Sequence, residues 1–391
     1  MTRTAKASYT RIEIKPALTS REERDFLELP YRLHGDLKNW VPPLRIAQKD
    51  ILNLRRHPVY KTIDAEKLIA YRGGRPVGRI MAMINHAYNR FHNERAGFFG
   101  FFETIDDFEV ARSLLDSARD WTGKRGAEII RGPVNPSTNY ECGLLVEGFD
   151  YEPAVMMTYN PPYYGDLIER YGFSKAMDLY AYEVKEESFK STERIKRVAD
   201  RLRSRDRISV RPVNLKDFKR EVEIVRKIYN DAWSNNWGFV PVSEEEFEHL
   251  ARDLKQIVDP RIVLVAEQSD DAGSERRPIA FMLAVPDINR ALKKARGRLF
   301  PFGLIKLLWH SRKIDSIRII IMGVVKAHQS LGAAAVLYDE IYERGTSNGY
   351  VRGEMSWILE NNTLMNRAAE MLGGRISKTY RIYEMPLISR H

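Results

Sequence analysis

The chain has 391 residues, of which 43% are hydrophobic and 30% charged, and its formal net charge at pH 7 is +10. This length predicts two domains, and the composition excludes both a disordered chain and a membrane-spanning bundle. The net positive charge indicates an anionic partner such as a phosphorylated cofactor, a nucleic acid or a membrane surface. Because Cys142 is the single cysteine and the N-terminus is polar and unlike a signal peptide, we expect a cytoplasmic protein.

Motifs for nucleotide hydrolysis, dinucleotide binding and zinc binding are missing from the sequence. It has no Walker-type GxxxxGKS/T loop, no GxGxxG, no HExxH and no paired CxxC. Its 8 histidines are scattered, and scattered histidines are more often surface or structural residues than ligands. We therefore predict no metal site.

Segments of the first half of the chain recur about two hundred residues later, in the same order. The matching pairs are Arg75–Asn85 with Arg277–Asn289, Asn39–Pro42 with Asn236–Pro241, and Glu169–Phe173 with Glu370–Gly374. One match between apolar strands could arise by chance, but three in order favour tandem copies of one architecture. Each copy is predicted to run strand, helix, three strands, helix, strand, helix, strand.

In the first copy, a strand over Gly97–Phe102 is followed by the turn Glu103–Glu109, which has no glycine and four carboxylates. Like charges repel by about 4 kcal/mol per pair near a protein surface, so this turn should expel a diphosphate. The acids suit the start of a helix instead. The insertion that follows, Gly132–Tyr164, is rich in Gly, Pro, Asn and Tyr and predicts either a functional loop or a strap between domains.

The two copies are joined by the charged stretch Lys185–Asp206, in which Ile195, Val198 and Leu202 recur at helical spacing. This pattern predicts a linker helix with a solvated face, and a nucleic-acid role is the weaker alternative. The expected units are a first domain of residues 1–184, a linker of residues 185–206 and a second domain of residues 207–391.

The second copy has the clearer succession of elements. Its predicted strands are Ile208–Val213, Ile262–Ala266, Pro278–Val285, Ile317–Val325, Gly353–Leu359 and Thr379–Leu387, and its predicted helices are Asp217–Ala232, Ala333–Gly345 and Thr363–Leu372. Between the third and fourth strands, residues 291–313 mix basic residues with Leu, Ile, Phe and Trp. This composition predicts peripheral contact with an anionic membrane at its inner face, and the alternative is a helical insert packed on the first domain.

The segment Gln329–Ala334 follows the β-branched strand of the second copy and leads into a helix. A turn of this kind gathers unpaired backbone N–H groups and the positive end of a helix dipole, and its small residues let a diphosphate approach. The segment resembles the Arg/Gln-x-x-Gly-x-Gly/Ala loop of the GNAT superfamily through Gln329, Gly332 and Ala334. The resemblance extends over the C-terminal half, from Ser191 to Leu387.

The resemblance implies an α/β (α+β) fold of two tandem GNAT-like domains, each a mixed, mainly antiparallel sheet flanked by helices. It also implies acyl-CoA as co-substrate, with the pantetheine arm along the end of the fourth strand and the acyl site opened by a splayed fifth strand. The cofactor-binding residues that it implies are Val324, Val325, Gln329, Ser330, Leu331, Gly332, Ala333, Ala334 and Asn362.

Acyl transfer to an amine requires the amine to lose a proton first, which near pH 7 adds about 4 kcal/mol to the barrier for an ordinary amine. A base is therefore expected, and Glu354 and Glu360 on or beside the fifth strand are the candidates, with Glu360 preferred. The alternative is that these acids form surface ion pairs with Arg352 or Arg375.

Many GNAT enzymes protonate the departing thiolate with a tyrosine in the helix after the fifth strand. The corresponding residue in this chain is Ala369, which has no proton to give. Tyr380 and Tyr383 on the last strand are the predicted substitutes, although tyrosines on half-buried strands usually serve packing.

The predicted function is transfer of an acyl group from acyl-CoA to an amine. Phe98–Phe102, Gly132-Pro133 and Tyr159–Tyr164 resemble a bacterial group of GNAT-like proteins to which the bacterial ceramide synthases are similar, which implies a lipid amine. One alternative is an aminoacyl transferase that takes its donor from tRNA, like the Fem-type peptidoglycan enzymes. The diphosphate loop and the missing helical hairpin disfavour it, and no specific nucleic-acid partner is predicted. The other is a non-catalytic acyl-CoA or lipid sensor, which only turnover would exclude.

Overall fold

The computed structural model of the chain describes residues 11–189, 192–205, 208–269, 275–299 and 313–387, together with Gly303, Ile305, Trp309 and His310. The side chains of Thr192, Arg194, Ser330 and Leu331 lie outside this description. Both halves contain the strands and helices of the predicted repeat in the predicted order, but each half adds one α-helix after its first helix and another after its third strand. The first half also adds three short strands before its last helix.

The first half contains nine strands and five α-helices within the described residues. They are β1 (Ile12–Pro16), α1 (Ser20–Leu33), α2 (Arg45–Ile51), β2 (Ile63–Arg72), β3 (Arg75–Asn85), α3 (His86–His92), β4 (Ala96–Thr104), α4 (Phe108–Gly123), β5 (Ile129–Gly132), β6 (Val134–Asn135), β7 (Glu141–Cys142), β8 (Leu144–Glu147), α5 (Tyr163–Tyr171) and β9 (Ser174–Lys185).

The second half begins with the predicted linker helix and ends with the last predicted strand. Its elements are α6 (Thr192–Arg205), β10 (Ile208–Pro212), α7 (Phe218–Trp233), α8 (Glu244–Leu254), β11 (Val263–Ser269), β12 (Arg276–Pro286), α9 (Asn289–Ala295), β13 (Ser316–Val324), α10 (Ala333–Ser347), β14 (Arg352–Leu359), α11 (Thr363–Met371) and β15 (Arg375–Pro386).

The strands form one large sheet in the order β1-β2-β3-β4-β5-β15-β9-β14-β13-β12-β11-β10, with β8 beside β15. Five strands run inward from each edge in matching order, and in each set the first four pair antiparallel whereas the last two, β4 with β5 and β13 with β14, pair parallel. This mixed, mainly antiparallel arrangement confirms the fold class predicted from the sequence.

At the centre of the sheet the halves exchange their last strands. Strand β9 pairs with β14 of the second half, where Tyr182 is in register with Met355. Strand β15 pairs with β5 of the first half, where Tyr383 is in register with Gly132. The two exchanged strands also pair with each other. Each half therefore completes the sheet of the other. The predicted domain boundaries, at residues 184 and 207, divide the two copies in the sequence, and they stay a prediction.

The predicted linker helix is α6, and it packs along α10. Ala199 is fully buried in this contact. The Arg203 guanidinium donates hydrogen bonds to Asp339 at 2.6 Å and to Glu340 at 2.9 Å. Part of the positive charge of α6 is thus paired within the fold rather than presented to a partner.

The long insertion after β5 contacts the second half. The Asn139 amide donates to the carbonyl oxygen of Val240 at 3.0 Å and accepts from the Tyr229 hydroxyl at 2.8 Å. The Val155 N–H donates to the Asp287 carboxylate at 2.9 Å. The insertion therefore straps the two halves together, which was one of its two predicted roles.

Candidate active site

A wedge between β13 and β14 lies where the sequence predicts the splayed strand. The two strands pair from Ser316 with Arg352 to Ile319 with Met355 and then diverge. Beyond that point β13 follows β12 to Val324, and β14 follows β9. Main-chain groups of the diverging strands therefore face a gap instead of each other, and this gap can receive an extended ligand.

The predicted diphosphate loop forms the mouth of the wedge. Lys326–Leu331 is a short 3₁₀ helix, Gly332 follows with φ +75°, and α10 begins at Ala333. None of the described side chains caps α10, and its first turn contains no acid. The first N–H groups of α10 and its dipole are thus open to an anion. A larger residue at Gly332 would be strained by the positive φ.

The other implied contact residues lie around this mouth. The exposed Gln329 amide donates to the carbonyl oxygen of Val324 at 3.3 Å, while the Val325 N–H donates to Ile279 at 2.8 Å. Asn362 caps α11 by accepting from the Met365 N–H at 3.2 Å. Ala333 is fully buried and Ala334 partly so, and the side chains of Ser330 and Leu331 lie outside the described part of the chain.

The equivalent helix of the first half has a closed N-terminus. The Asp107 carboxylate accepts from the N–H groups of Glu109 at 2.9 Å and Val110 at 3.3 Å, and it forms an ion pair with Arg72 at 2.8 Å. The N–H groups that would bind an anion are therefore occupied, as the four carboxylates of the turn predicted. Asp107 accepts from these N–H groups with a smaller loss of entropy than a bound ligand would have, because it is part of the chain.

The wedge of the first half is also filled by the chain itself. Strands β4 and β5 pair only from Ala96 to Phe98, after which the segment containing β6 enters between them. The Asn135 side-chain oxygen accepts from the Phe101 N–H at 2.6 Å. A Cβ atom at Gly100 would lie 1.6 Å from the Val134 carbonyl oxygen. The backbone of β6 thus occupies the gap that stays open in the second half.

Beside the open wedge, a polar chain of side chains is buried on β13, β14 and β15. The fully buried Arg318 donates from Nε to the Ser356 hydroxyl at 2.9 Å, and this hydroxyl donates to Glu354 at 3.0 Å. Glu354 also pairs with the buried Lys378 at 2.7 Å. Ala181, on the strand between them, is in register with both Ser356 and Lys378, and its small side chain leaves room for the pair.

Two buried polar groups of this cluster have no partner among the described residues: the Tyr380 hydroxyl and Nη2 of Arg318. Burial raises the pKa of Tyr380 well above its usual value and Glu354 raises it further, so the hydroxyl keeps its proton. Tyr383 instead donates its hydroxyl to Glu169 at 2.9 Å. Of the two predicted substitutes for a general acid, Tyr380 is the one whose proton has no acceptor among the residues that the structure describes, and that role stays a prediction.

Glu360, the preferred base, lies just beyond the end of β14. Its carboxylate accepts from Lys175 at 2.8 Å and from the Asp178 N–H at 3.1 Å, so both oxygens are occupied. The ion pair that the alternative predicted is therefore present, although with Lys175 rather than Arg375. Ala369 is buried on α11 and offers no proton, as predicted. The roles of Glu360 and Glu354 as bases stay predictions.

Two residues near the wedge were missed in the sequence. Arg318 had a readable signal, because a charged residue within a strand predicted to be buried needs a partner or a ligand. Glu141 lies on the two-residue strand β7, opposite Asn135, and is half-buried. The only sequence feature that pointed to Glu141 was its position in an insertion without periodicity, and such a feature does not single out one residue as functional.

One group of side chains in the described part of the chain has possible metal-ligand atoms within 4.8 Å of one another: Asp50, His57 and His249. Nδ1 of His57 accepts from the Val59 N–H at 3.4 Å, so in the neutral ring Nε2 carries the proton. A metal-ligating histidine needs the opposite arrangement, with its second nitrogen donating. Nε2 of His249 donates to the Asp50 carboxylate at 2.9 Å, and we interpret the group as a contact between the two halves.

The predicted interfacial segment, residues 291–313, is described only in part. Its beginning packs on the first half, where Lys293 pairs with Glu152 at 2.6 Å. Further along, Ile305 is 62% exposed and Trp309 is 65% exposed. Phe300 and most of its neighbours lie outside the described residues. No helix in the described ranges combines the length and apolar content that crossing a bilayer requires.

Comparison with known sequences assigns the chain to a family. It is 36% identical over 386 residues to "Bacterial ceramide synthase" of Caulobacter vibrioides, covering 96% of this chain and 98% of that protein. It is 34% identical over 377 residues to "Protein YghO" of Escherichia coli strain K12, covering 95% and 94%. The chain belongs to the family of these two proteins. No protein-family model matches it.

Solved structures of GNAT proteins share the fold of this family member. A tandem GNAT protein from the clavulanic acid biosynthesis pathway aligns with a TM-score of 0.57 and 11% identity, over 97% of this chain and 100% of that one. A GCN5-related N-acetyltransferase from Sphaerobacter thermophilus aligns with a TM-score of 0.51 and 12% identity, over 96% of each. These solved structures show that the chain has a tandem GNAT fold.

Proposed function

We propose that this tandem GNAT protein is an N-acyltransferase that moves an acyl group from acyl-CoA to an amine. The observation that carries the proposal is the difference between the two halves: one wedge is open with an uncapped helix at its mouth, and the other is filled by β6 and capped by Asp107. The proposal thus assigns one acyl-CoA to each chain, in the second half.

Each part of the site has a proposed task. The turn from Gln329 to Ala334 and the start of α10 bind the diphosphate of coenzyme A. The diverging main chain of β13, ending at Val324 and Val325, binds the pantetheine arm. Asn362, which caps α11 at the far side of the wedge, helps to hold the strand end in place. The acyl carbonyl then lies beside the buried cluster of Arg318, Glu354 and Tyr380.

We propose further that the acceptor is a long-chain or lipid amine and that the protein works in the cytoplasm at the inner face of the membrane. The family relationship supports this substrate class, because one relative bears the name ceramide synthase and a ceramide is an N-acylated long-chain amine. The exposed Ile305 and Trp309, in a segment rich in basic residues and free of acids, support contact with an anionic membrane surface.

The diphosphate site is tested by Gly332→Glu, which puts a carboxylate among the groups that should bind phosphate. Isothermal calorimetry with coenzyme A should give one site per chain for the wild type and no measurable binding for the variant. Like-charge repulsion of several kcal/mol corresponds to a loss of at least about a hundredfold in affinity.

Gly349→Glu is the matched control, because Gly349 follows the other end of α10 and also has a positive φ, +86°, with open space around it. It adds the same charge and similar backbone strain, and it should bind coenzyme A as the wild type does. Two sites per chain, or equal binding by both variants, would contradict the proposal. Binding without turnover of any acyl-CoA would leave the sensor alternative.

A further inference from the structure

The carboxylates beside the wedge differ in whether their oxygens are engaged. Glu354 pairs with Lys378, and Glu360 pairs with Lys175. Glu141 forms no side-chain hydrogen bond or ion pair with any of the described residues, although it is half-buried. A general base needs a lone pair that is free to accept a proton, and an ion-paired carboxylate is a weaker base.

Glu141 is two residues from a glycine that lies against Tyr380 of the buried cluster. Strand β7 continues directly through Cys142 to Gly143, where a Cβ atom would lie only 3.1 Å from Cβ of Tyr380. The Gly143 N–H donates to the Pro133 carbonyl oxygen at 2.9 Å, and the Thr158 hydroxyl donates to the Gly143 carbonyl oxygen at 2.9 Å. Both backbone groups of Gly143 thus hold the segment to Pro133 and Thr158, and Gly143 itself lies against Tyr380 of β15.

The charged and titratable groups around Glu141 come from four elements. Burial raises the pKa of its carboxyl group, the Arg318 guanidinium on β13 lowers it, and the Glu103 carboxylate on β4 raises it. Tyr31 on α1 and Cys142 on β7 also lie within electrostatic range of the Glu141 carboxylate. Burial raises the pKa of Cys142 to about 12, so the neighbouring thiol stays protonated and does not compete as a base.

From this geometry we infer that Glu141 is the general base that deprotonates the acceptor amine, an inference that rests on the proposed function. The ammonium group of the acceptor gives a proton to the Glu141 carboxylate, and the neutral nitrogen attacks the thioester carbonyl carbon. The N–C bond forms and the C–S bond breaks. The second proton on nitrogen goes to the departing thiolate, and Glu141 releases the first proton to solvent.

The inference is tested by Glu141→Gln, which keeps the shape of the side chain and removes its ability to accept a proton. Release of coenzyme A is measured with acetyl-CoA, octanoyl-CoA and palmitoyl-CoA, each with sphinganine as the amine. The expected kcat is about a hundredfold to ten-thousandfold lower at neutral pH, with unchanged affinity for coenzyme A. The residual rate should keep rising with pH where the wild type has levelled off, because the amine must then lose its proton to water. Glu141→Asp should recover part of the rate.

Glu147→Gln is the matched control, since Glu147 lies in the same insertion and is exposed. It should keep the wild-type rate and pH profile. The role of Glu141 as base would be overturned if Glu141→Gln kept wild-type turnover, or if it lost coenzyme A binding together with activity. Either result would leave the proposed function standing. A wild-type chain that binds no coenzyme A and turns over none of these substrates would instead overturn the proposed function.

Discussion

At the scale of single residues, buried charges in this chain are matched by partners far away in sequence. Lys378 pairs with Glu354 across β9, and Lys175 of the first half pairs with Glu360 of the second. Sequence spacing identified Glu354 and Glu360 as acids beside the wedge, but their partners depend on how strands from both halves are ordered. The ion pairs of these carboxylates could therefore not be predicted from the sequence. The same holds for Glu141, whose side chain has no hydrogen-bond or ion-pair partner in the described part of the chain.

A residue-scale prediction concerns Glu246, which is buried in the first turn of α8. Burial raises its pKa from 4.5 to about 7, although Tyr140 and, to a smaller extent, His249 nearby lower it. The folded chain thus holds a proton that the unfolded chain releases near pH 4.5, so this group makes the fold less stable as the pH rises from about 4.5 to 7. Glu246→Gln cannot ionise and should increase the free energy of unfolding by up to about 3 kcal/mol at pH 8, with little gain below pH 4.5.

Urea titrations at about pH 5 and pH 8 measure this difference. Glu248→Gln is the matched control, because Glu248 is exposed on the same helix, and it should show no pH-dependent gain. The raised pKa of Asp287 affects both proteins equally and cancels in the comparison. A Glu246→Gln chain that is less stable than the wild type at both pH values would show that the buried carboxylate is ionised and engaged.

At the scale of elements, periodicity predicted the six strands and three helices named for the second copy to within about four residues at each end, but it did not predict α8. The β-branched run is β13, and the helix after the diphosphate loop is α10. The filling of the first wedge could not be predicted, because it depends on close contact between backbone segments. Gly100 lacks a side chain where the Val134 carbonyl approaches, and the sequence marks such a glycine no differently from one in an ordinary strand.

An element-scale prediction concerns the segment that contains Ile305 and Trp309. Apolar side chains that are 62% and 65% exposed gain free energy when a bilayer surface buries them, and the basic residues of the segment are attracted to anionic lipids. The chain should sediment with phosphatidylglycerol vesicles at low salt and be released as salt increases. Ile305→Ser with Trp309→Ser should weaken this binding at least tenfold, at roughly 1.5 kcal/mol or more per buried side chain.

Leu18→Ser with Met371→Ser provides the control, because these residues are also exposed, 80% and 61%, but lie in other parts of the chain. This pair should leave vesicle binding unchanged. Equal vesicle binding by both double variants and the wild type would show that the segment does not contact the membrane surface. That result would favour the alternative that residues 291–313 form an insert packed on the first half along their whole length, as they do at the start, where Lys293 pairs with Glu152.

At the scale of the whole molecule, the internal repeat predicted two related units, and the matching strand orders at both edges of the sheet agree with it. The exchange of β9 and β15 could not be predicted. Both strands end their copies with a similar pattern, Tyr182-Glu183 and Tyr383-Glu384, so either strand could complete either sheet. The choice depends on the length and path of the connections, and a sequence pattern with period 2 carries no information about that.

The exchange predicts that neither half folds without the other. If the chain is divided after Phe189, the first fragment lacks β15, so β5 becomes an open edge, and the second fragment lacks β9, so β14 does. Unpaired edges and the apolar faces they expose favour aggregation. Each fragment expressed alone should therefore be insoluble or aggregated, whereas the two expressed together should purify as a complex of one copy each and bind one coenzyme A. Size-exclusion chromatography with light scattering measures the composition. A first fragment that is monomeric alone and unfolds cooperatively on heating would show that each half can complete its own sheet, because β9 could then occupy the place beside β5 that β15 takes in the whole chain.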